Sequence, residues 1–291
     1  MQRVQFQAGF ILHHRVFRES SLIADVLTPD HGVVRLVARG ARSPRSKSRP
    51  LLQVFRPLLL SWSGRGEMKT LAGIEEQGMP IALQGLQLAC GYYLNELLLR
   101  LLRFNEGNVI VFAHYASALS RLADAGDQAE TEACLRAFEL ELLESQGLVP
   151  DFSHCVITDG SGANAQTTDE PQAGCTYRYF HETGQAIAIA DTTSGIAETR
   201  GGVKNYPTMP DGTALANSIV ISGETLMALA ARDFTRPQCR TEVKRLMRTQ
   251  LAQHLGPQPL KSREMIGFYS QPAKAASRRQ AANKPADQHD G

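Results

Sequence analysis

The sequence predicts an α+β chain in which a five-stranded N-terminal barrel precedes a helical bundle carrying a polar insert. Two patterns say so. Across residues 4–80, short apolar-polar alternations are separated by turn residues, and beyond Pro80 the apolar residues recur at helical spacing. A third pattern bears on function, because charge is segregated along the chain. Residues 1–80 hold 12 Lys and Arg against 6 Asp and Glu, residues 82–150 hold 4 against 9, residues 151–214 hold 3 against 8, and residues 215–291 hold 12 against 6. The net charge of +2 therefore conceals two basic ends and an acidic middle, which points to a local anionic partner.

The expected strands are FILHHRVF, SLIADVLT, GVVRLVARGA, FRPLLLSWSG and MKTLAGIEEQ, with turn signals at Pro29-Asp30, Ser43-Pro44 and Gly64-Arg65-Gly66. Five short strands in about eighty residues suit a small closed barrel, and the OB-fold is the one whose open face and long loops commonly hold oligonucleotides. Three helices follow, LQLACGYYLNELLLRLLR, VIVFAHYASALSRLAD and EACLRAFELELLESQG, the last with Leu135, Phe138 and Leu142 on one face and Gly147 as its stop. Residues 151–214 form a Gly-, Thr- and Asp-rich insert with one hairpin-like piece, CTYRYFHETGQAIAIA. Helices resume with SGETLMALAARDF, and Thr235-x-x-Gln238 is expected to be a capping box opening a helix toward Gly256. On that helix Val243, Met247 and Leu251 share an apolar face, while Arg240, Lys244 and Arg248 recur at i, i+4 and i+8 on another. The segment PAKAASRRQAANKPADQHDG has no pattern that buries apolar surface and is expected to be disordered. The expected organisation is thus 1–80 barrel, 81–150 first helical part, 151–214 insert, 215–270 second helical part and 271–291 tail.

The stretch RLVARGARSPRSKSRP carries Arg35, Arg39, Arg42, Arg45, Lys47 and Arg49 and no carboxylate; no acid occurs between Asp30 and Glu67. Two readings fit it: a solvated basic loop, or a track for phosphates. Strand alternation puts Arg35, Val37 and Arg39 on one face, the loop prolongs that face, and Arg65 and Lys69 follow in the same module. Six engaged cations would give a slope of log K on log salt of about −4 for single strands. Trp62, Phe55, Phe10 and Phe17 are candidate stacking platforms, with barrel core as the alternative role for each. Arg240, Lys244 and Arg248 form a second candidate DNA surface, again with a solvated helix face as the alternative.

RGARSPRSKS, GRGEMKTL at 64–71, YLNELLLRLL at 93–102, LRAFELELL at 135–143 and PLKSREM at 259–265, in that order, resemble the RecO family of bacterial DNA repair proteins. The resemblance spans residues 6–268. It implies an OB-fold, a helical domain and an inserted zinc-ribbon-like segment. It also implies a recombination mediator that binds single- and double-stranded DNA and anneals complementary strands. Such a mediator contacts the C-terminal tail of single-stranded DNA-binding protein, and with RecR helps load RecA on coated DNA, without nucleotide or cofactor. Many family members hold zinc in the insert with two C-x-x-C knuckles. This insert has only Cys155 and Cys175, flanked by His154 and His181, so it is expected to be a degenerate ribbon without metal. The acidic, Phe-ended tail of single-stranded DNA-binding protein needs an apolar pocket and a cation, for which Arg136 beside Leu135 and Phe138 is the local match. Pairing of Arg136 with a nearby glutamate is the alternative.

No Walker-type loop, H-E-x-x-H pair or G-x-S-x-G elbow is present in the sequence, so no enzymatic activity is expected. An RNA-binding OB module is the alternative function, and an enzyme with an unrecognised site a third. Five scattered cysteines suit a reducing compartment. No apolar run reaches the roughly 18 residues of a membrane span, and MQRVQFQAGF lacks a signal-peptide core. A cytoplasmic, nucleoid-associated protein is expected.

Overall fold

A computed structural model describes residues 3–149, 151–158, 166–181, 183–189 and 218–270. The tail expected at 271–291 and the polar stretch at 190–217 lie outside the described residues. Two compact units are formed, one by residues up to 131 together with those from 258 onward, the other by residues 132–257. These units divide the chain elsewhere than the expected boundaries at 80, 150 and 214.

The first unit begins with β1 (Arg3–Phe17), β2 (Ser21–Thr28), β3 (Gly32–Ala38), β4 (Leu58–Ser63) and β5 (Met68–Glu76). They close into a barrel of order β1-β2-β3-β5-β4, antiparallel except for the parallel β3–β5 seam. This is the expected OB-like barrel. Ile11, Leu22, Ala24, Val26, Val34, Leu36, Leu58, Leu60 and Trp62 fill its interior. The first strand is longer than the expected FILHHRVF because its N-terminal half pairs with β4 and its C-terminal half with β2. Gly9 sits where the strand bends from one partner to the other. A Cβ there would stand 2.7 Å from Leu60 Cδ1 and 3.0 Å from Val26 Cγ1, so only glycine fits the corner.

β2 is buried along its whole length, which a barrel alone does not explain. Its outer face and that of β1 around Phe10 and Leu12 pack against α1 (Gly85–Leu101) and α2 (Val109–Asp124). Phe10, on β1, packs against Phe112 and Tyr115 of α2 at ring separations of 5.6 and 5.3 Å. The polar fastening is at a bulge: Ile11 pairs with Val26 and His13 with Asp25, leaving Leu12 out of register. The Leu12 carbonyl accepts from Asn95 Nδ2 of α1 at 2.8 Å, and Asn95 Oδ1 accepts from Tyr115 Oη of α2 at 2.6 Å, all three groups buried. Asn108 caps α2 by accepting from the Val111 amide at 3.0 Å.

The chain re-enters this unit with α6 (Ser262–Tyr269), whose first residue belongs to PLKSREM. Lys261, at the N-cap, offers no side-chain cap. Glu96 of α1 supplies it, accepting from Lys261 N at 3.1 Å, Ser262 N at 2.9 Å and Ser262 Oγ at 2.7 Å, while Arg100 donates to the same carboxylate. Arg100 also donates to the Gln258 and Pro259 carbonyls.

The second unit contains most of α3 (Gln128–Ser145), α4 (Gly223–Ala230) and α5 (Arg240–Leu255), with a sheet of order β10-β8-β9-β6-β7. The strands are β6 (Cys155–Thr158), β7 (Gln166–Asp169), β8 (Thr176–Phe180), β9 (Gln185–Ile189) and β10 (Ser218–Ser222). The expected hairpin is β8–β9 at the sheet's centre; β6, β7 and β10 are additional. They escape a pattern search because β6 and β7 span four residues each and β10 abuts α4 without a turn. Leu135, Phe138 and Leu142 of α3, and Val243, Met247 and Leu251 of α5, are buried as their spacing predicts.

The expected capping box at Thr235 and Gln238 does not form. Thr235 donates through N and Oγ1 to Asp233 Oδ1, and Arg236 donates to the other oxygen at 2.7 Å. These donors, the Thr235 hydroxyl first, hold the Asp233 carboxyl down to about 2. The chain then passes through a 3₁₀ turn at Pro237–Cys239 before α5 starts, so the Thr235 hydroxyl is too far from the helix to cap it. Ser222 caps α4 by accepting from the Thr225 amide at 3.3 Å, and Glu242 of α5 braces that cap, accepting from Ser222 N, Ser222 Oγ and Thr225 Oγ1 at 2.6 to 2.9 Å.

Burial works to raise the Glu96 carboxyl, but the donors of Ser262 and Lys261 and the Arg100 charge outweigh it and leave it below its usual range. A depressed folded-state value means the stabilisation is complete above the ordinary carboxylate range and is lost as pH falls through the folded value. Glu96→Ala is expected to cost about 1–3 kcal/mol. Hydrogen exchange at the Ser262 amide checks it: protection should fall in the variant at neutral pH and in the unsubstituted protein only under acid conditions.

Candidate nucleic-acid interface

β3 directs Leu36 and Ala38 into the barrel, so Arg35, Val37 and Arg39 point outward, as alternation requires. Their fates differ. Arg35 lies opposite Asp25 in the β2–β3 register and donates to it twice, Nε to Oδ1 at 2.6 Å and Nη2 to Oδ2 at 3.2 Å. Its guanidinium also covers the Phe104 ring at 4.7 Å, and the Asp25 hydrogen bond raises its pKa further. Arg35 is therefore neutralised, and its expected place in a phosphate track is corrected. The run of residues without acid is real along the chain, but the register brings an acid across the sheet. Gly32 lets the α1–α2 loop carrying Phe104 come this close, since a Cβ at its positive φ of 59° would lie 1.9 Å from the Glu106 carbonyl oxygen.

Beyond Ala38 the chain leaves the sheet as a string of turns, with Ser43 N bonded to Gly40 O, Ser46 N to Ser43 O and Leu52 N to Ser48 O. Ala41 and Leu52 are buried at the barrel core and pin both halves of the loop. Arg42 is a strut: its amide donates to Ser20 O at 3.0 Å and its Nη1 to Glu19 O at 2.8 Å and Arg18 O at 3.3 Å. Arg39, Arg45, Lys47 and Arg49 are exposed on this braced loop, and Arg65 is exposed in the β4–β5 turn. None of the five has an acidic partner among the described residues. Lys69 is turned aside, donating to Asn105 Oδ1, and burial lowers its pKa.

Between the β1–β2 turn and the β3–β5 seam lies an open groove of about 760 Å³, lined by Phe17, Arg18, Glu19, Val37, Arg39, Met68 and Thr70 among others. It occupies the face and loops with which OB barrels hold oligonucleotides. Three of the four candidate stacking aromatics are excluded, because Trp62, Phe55 and Phe10 are 2%, 4% and 5% exposed and belong to the core. Phe17 remains, half-buried at the groove with the Arg18 guanidinium 5.1 Å from its ring centre. Arg18 was not among the sequence candidates; its signal is a cation directly after an aromatic at the end of a strand.

The second unit changes the other two expectations. Lys244 of α5 pairs with Glu132 at 3.1 Å, Arg240 donates to the Thr235 carbonyl, and only Arg248 of the three is exposed without a partner among the described residues. Leu135 and Phe138 are buried, and Arg136, itself mostly covered, donates to Glu139 at 2.5 Å. That trio offers no open pocket for an incoming ring. In the insert, His154 Nδ1 is held by Asp151 at 2.6 Å, and the buried Cys155 thiol, pushed up by burial, donates to the Asp169 carbonyl. Among the described residues no three His, Cys, Asp or Glu side chains converge, so the donor set does not fit zinc.

A closed five-stranded barrel of this topology, followed by helices, defines an OB-type module. Residues 1–77 match the family profile described as Recombination protein O N terminal, and residues 83–194 match Recombination protein O C terminal. Curated relatives include proteins called DNA repair protein RecO from Ralstonia nicotianae, 38% identical over 91% of this chain and 84% of the relative, and from Azoarcus sp., 37% identical over 91% and 96%. A third, from Coxiella burnetii, is 36% identical over 91% of this chain and 99% of its own length. The chain belongs to the RecO family.

Arg35→Ala is expected to lower stability by roughly 2 kcal/mol, less than the 3–5 kcal/mol of a fully buried pair because Arg35 is partly exposed. Denaturant unfolding checks it, and Asp25→Asn in the Arg35→Ala background should recover part of the loss.

Proposed function

We propose that the protein acts in DNA repair as a cytoplasmic, nucleoid-associated recombination mediator. In this reading it binds single- and double-stranded DNA, anneals complementary strands, and with RecR promotes loading of RecA onto DNA coated by single-stranded DNA-binding protein, whose C-terminal tail it contacts. Family membership and the name carried by the relatives support the repair role. Among the described residues no helix is long and apolar enough to cross a membrane.

The observation that carries the DNA-binding part is the row Arg39, Arg45, Lys47, Arg49, exposed and without acidic partners among the described residues on a loop braced by Ala41, Arg42 and Leu52, with Arg65 likewise exposed in the β4–β5 turn. Bracing lets the cations meet phosphates at little entropic cost. Annealing needs no proton transfer or nucleophile. Two strands repel through their phosphates, and a surface that screens that repulsion while holding both raises their effective concentration. The role requires no enzymatic site and no cofactor. Ion-paired Arg35, strut Arg42 and turned-aside Lys69 serve the scaffold, leaving the five exposed cations for DNA, with Arg248 the candidate of the second unit.

Five engaged cations would give a slope of log K on log salt of about −3.5 for single strands. Arg39→Glu with Arg45→Glu is expected to weaken binding tenfold or more at low salt and to flatten that slope. Annealing of complementary oligonucleotides, followed through a salt titration with and without a coat of single-stranded DNA-binding protein, tests the whole reading. Salt-sensitive acceleration that survives the coat supports a mediator. Binding without annealing would reduce the loop to a tether.

A further inference from the structure

Charge alone attracts single strands and duplexes alike, so the basic loop does not explain how a mediator would favour unpaired DNA. The groove next to it differs in chemistry. Phe17 ends β1 and is half-buried at one wall, Val37 and Met68 give an apolar floor, Thr70 offers a hydroxyl, and Arg39 stands at the rim. Its volume of about 760 Å³ lies within the range of about 300–1,000 Å³ typical of small-ligand sites, enough for a nucleotide. The more exposed ring of Phe6 lies at the β1–β4 bulge by Ser61 and is not part of this groove.

What rests on Phe17 is informative. The Arg18 guanidinium, planar and delocalised, stands over the ring at 5.1 Å from its centre, within cation–π reach, and so marks the exposed face of Phe17 as one that takes a planar group. Arg18 sits at a positive φ of 54° in a three-residue turn, and its carbonyl is tied by Arg42 while its side chain stays exposed. The backbone of the turn is thus fixed and the guanidinium is free to leave the ring.

We infer that Phe17 is the stacking platform for one unpaired base of bound single-stranded DNA, and that Arg18 moves from the ring to a neighbouring phosphate when the base arrives. The inference deepens the DNA-binding reading above and rests on it. Bases inside a duplex are already stacked on both faces and cannot reach the ring, so the platform selects unpaired strands. The basic loop supplies attraction, and Phe17 supplies discrimination.

The test uses the full chain with three fluorescein-labelled probes: an oligodeoxycytidylate, an abasic strand of the same length, and a duplex. Phe17→Ala should weaken oligodeoxycytidylate binding by roughly five- to a hundredfold, leave the abasic strand and the duplex unchanged, and leave the salt slope intact. Arg18→Ala should weaken oligodeoxycytidylate binding and lower its salt slope by about 0.7, and leave the abasic strand and the duplex nearly unchanged. Phe17→Trp should keep the affinity, and its fluorescence should be quenched by oligodeoxycytidylate and not by the abasic strand, against the constant background of buried Trp62. Equal losses on all three probes for Phe17→Ala, or no quenching in Phe17→Trp, would overturn the platform while loss in the Arg39→Glu, Arg45→Glu variant kept the DNA-binding reading standing. Failure of the unsubstituted protein to bind any probe would remove both.

Discussion

The first unit depends on what happens to one carbonyl. The bulge at Leu12 lets β1 bend enough to close the barrel, and it takes the Leu12 C=O out of the ladder. A buried acceptor without a donor is costly, so the bend is tolerable only because Asn95 reaches it from α1. Asn95 in turn needs a donor for its own oxygen, which Tyr115 of α2 provides. Barrel closure and helix docking are thereby one event. With α1 and α2 in place, β2 and the middle of β1 around Phe10 and Leu12 are buried, and the loop joining the two helices is set against β3.

That placement decides the electrostatics. The α1–α2 loop brings Phe104 under Arg35 and Asn105 to Lys69, while Asp25, itself buried by the helices, takes Arg35's charge. The cations nearest the helical cover are consumed by structure, and those farther along the braced loop stay in solvent.

Two glutamates play one structural part in different places. Glu96 caps α6 from α1, and Glu242 of α5 braces the Ser222 cap of α4, each accepting from amide and hydroxyl donors at a helix start. In both cases the capped helix is eight residues long, too short to be stable alone, so its existence is conditional on the longer helix that carries the carboxylate. Local reading of Thr235 as a cap fails for the same reason that these caps work: hydroxyl and carboxylate partners are chosen by distance in space.

The barrel strands, the three helices after Pro80 and the apolar faces of α3 and α5 were legible in the sequence, since each follows from a period that burial imposes on neighbouring residues. So was the absence of acids along residues 31–66, and with it the basic loop. The short strands β6, β7 and β10 were not legible, because four or five residues carry too little period and their pairing is with distant strands. Tertiary structure alone decided which cations are free. Arg35 and Lys69 look like Arg39 and Arg65 in the sequence, and only the register of β2 on β3 and the seat of the α1–α2 loop distinguish them. It also decided that Phe17 and not Trp62 faces solvent. Periodicity records which residues lie on one face of an element; which face is covered, and what charge stands opposite, is fixed when elements far apart in the chain pack together.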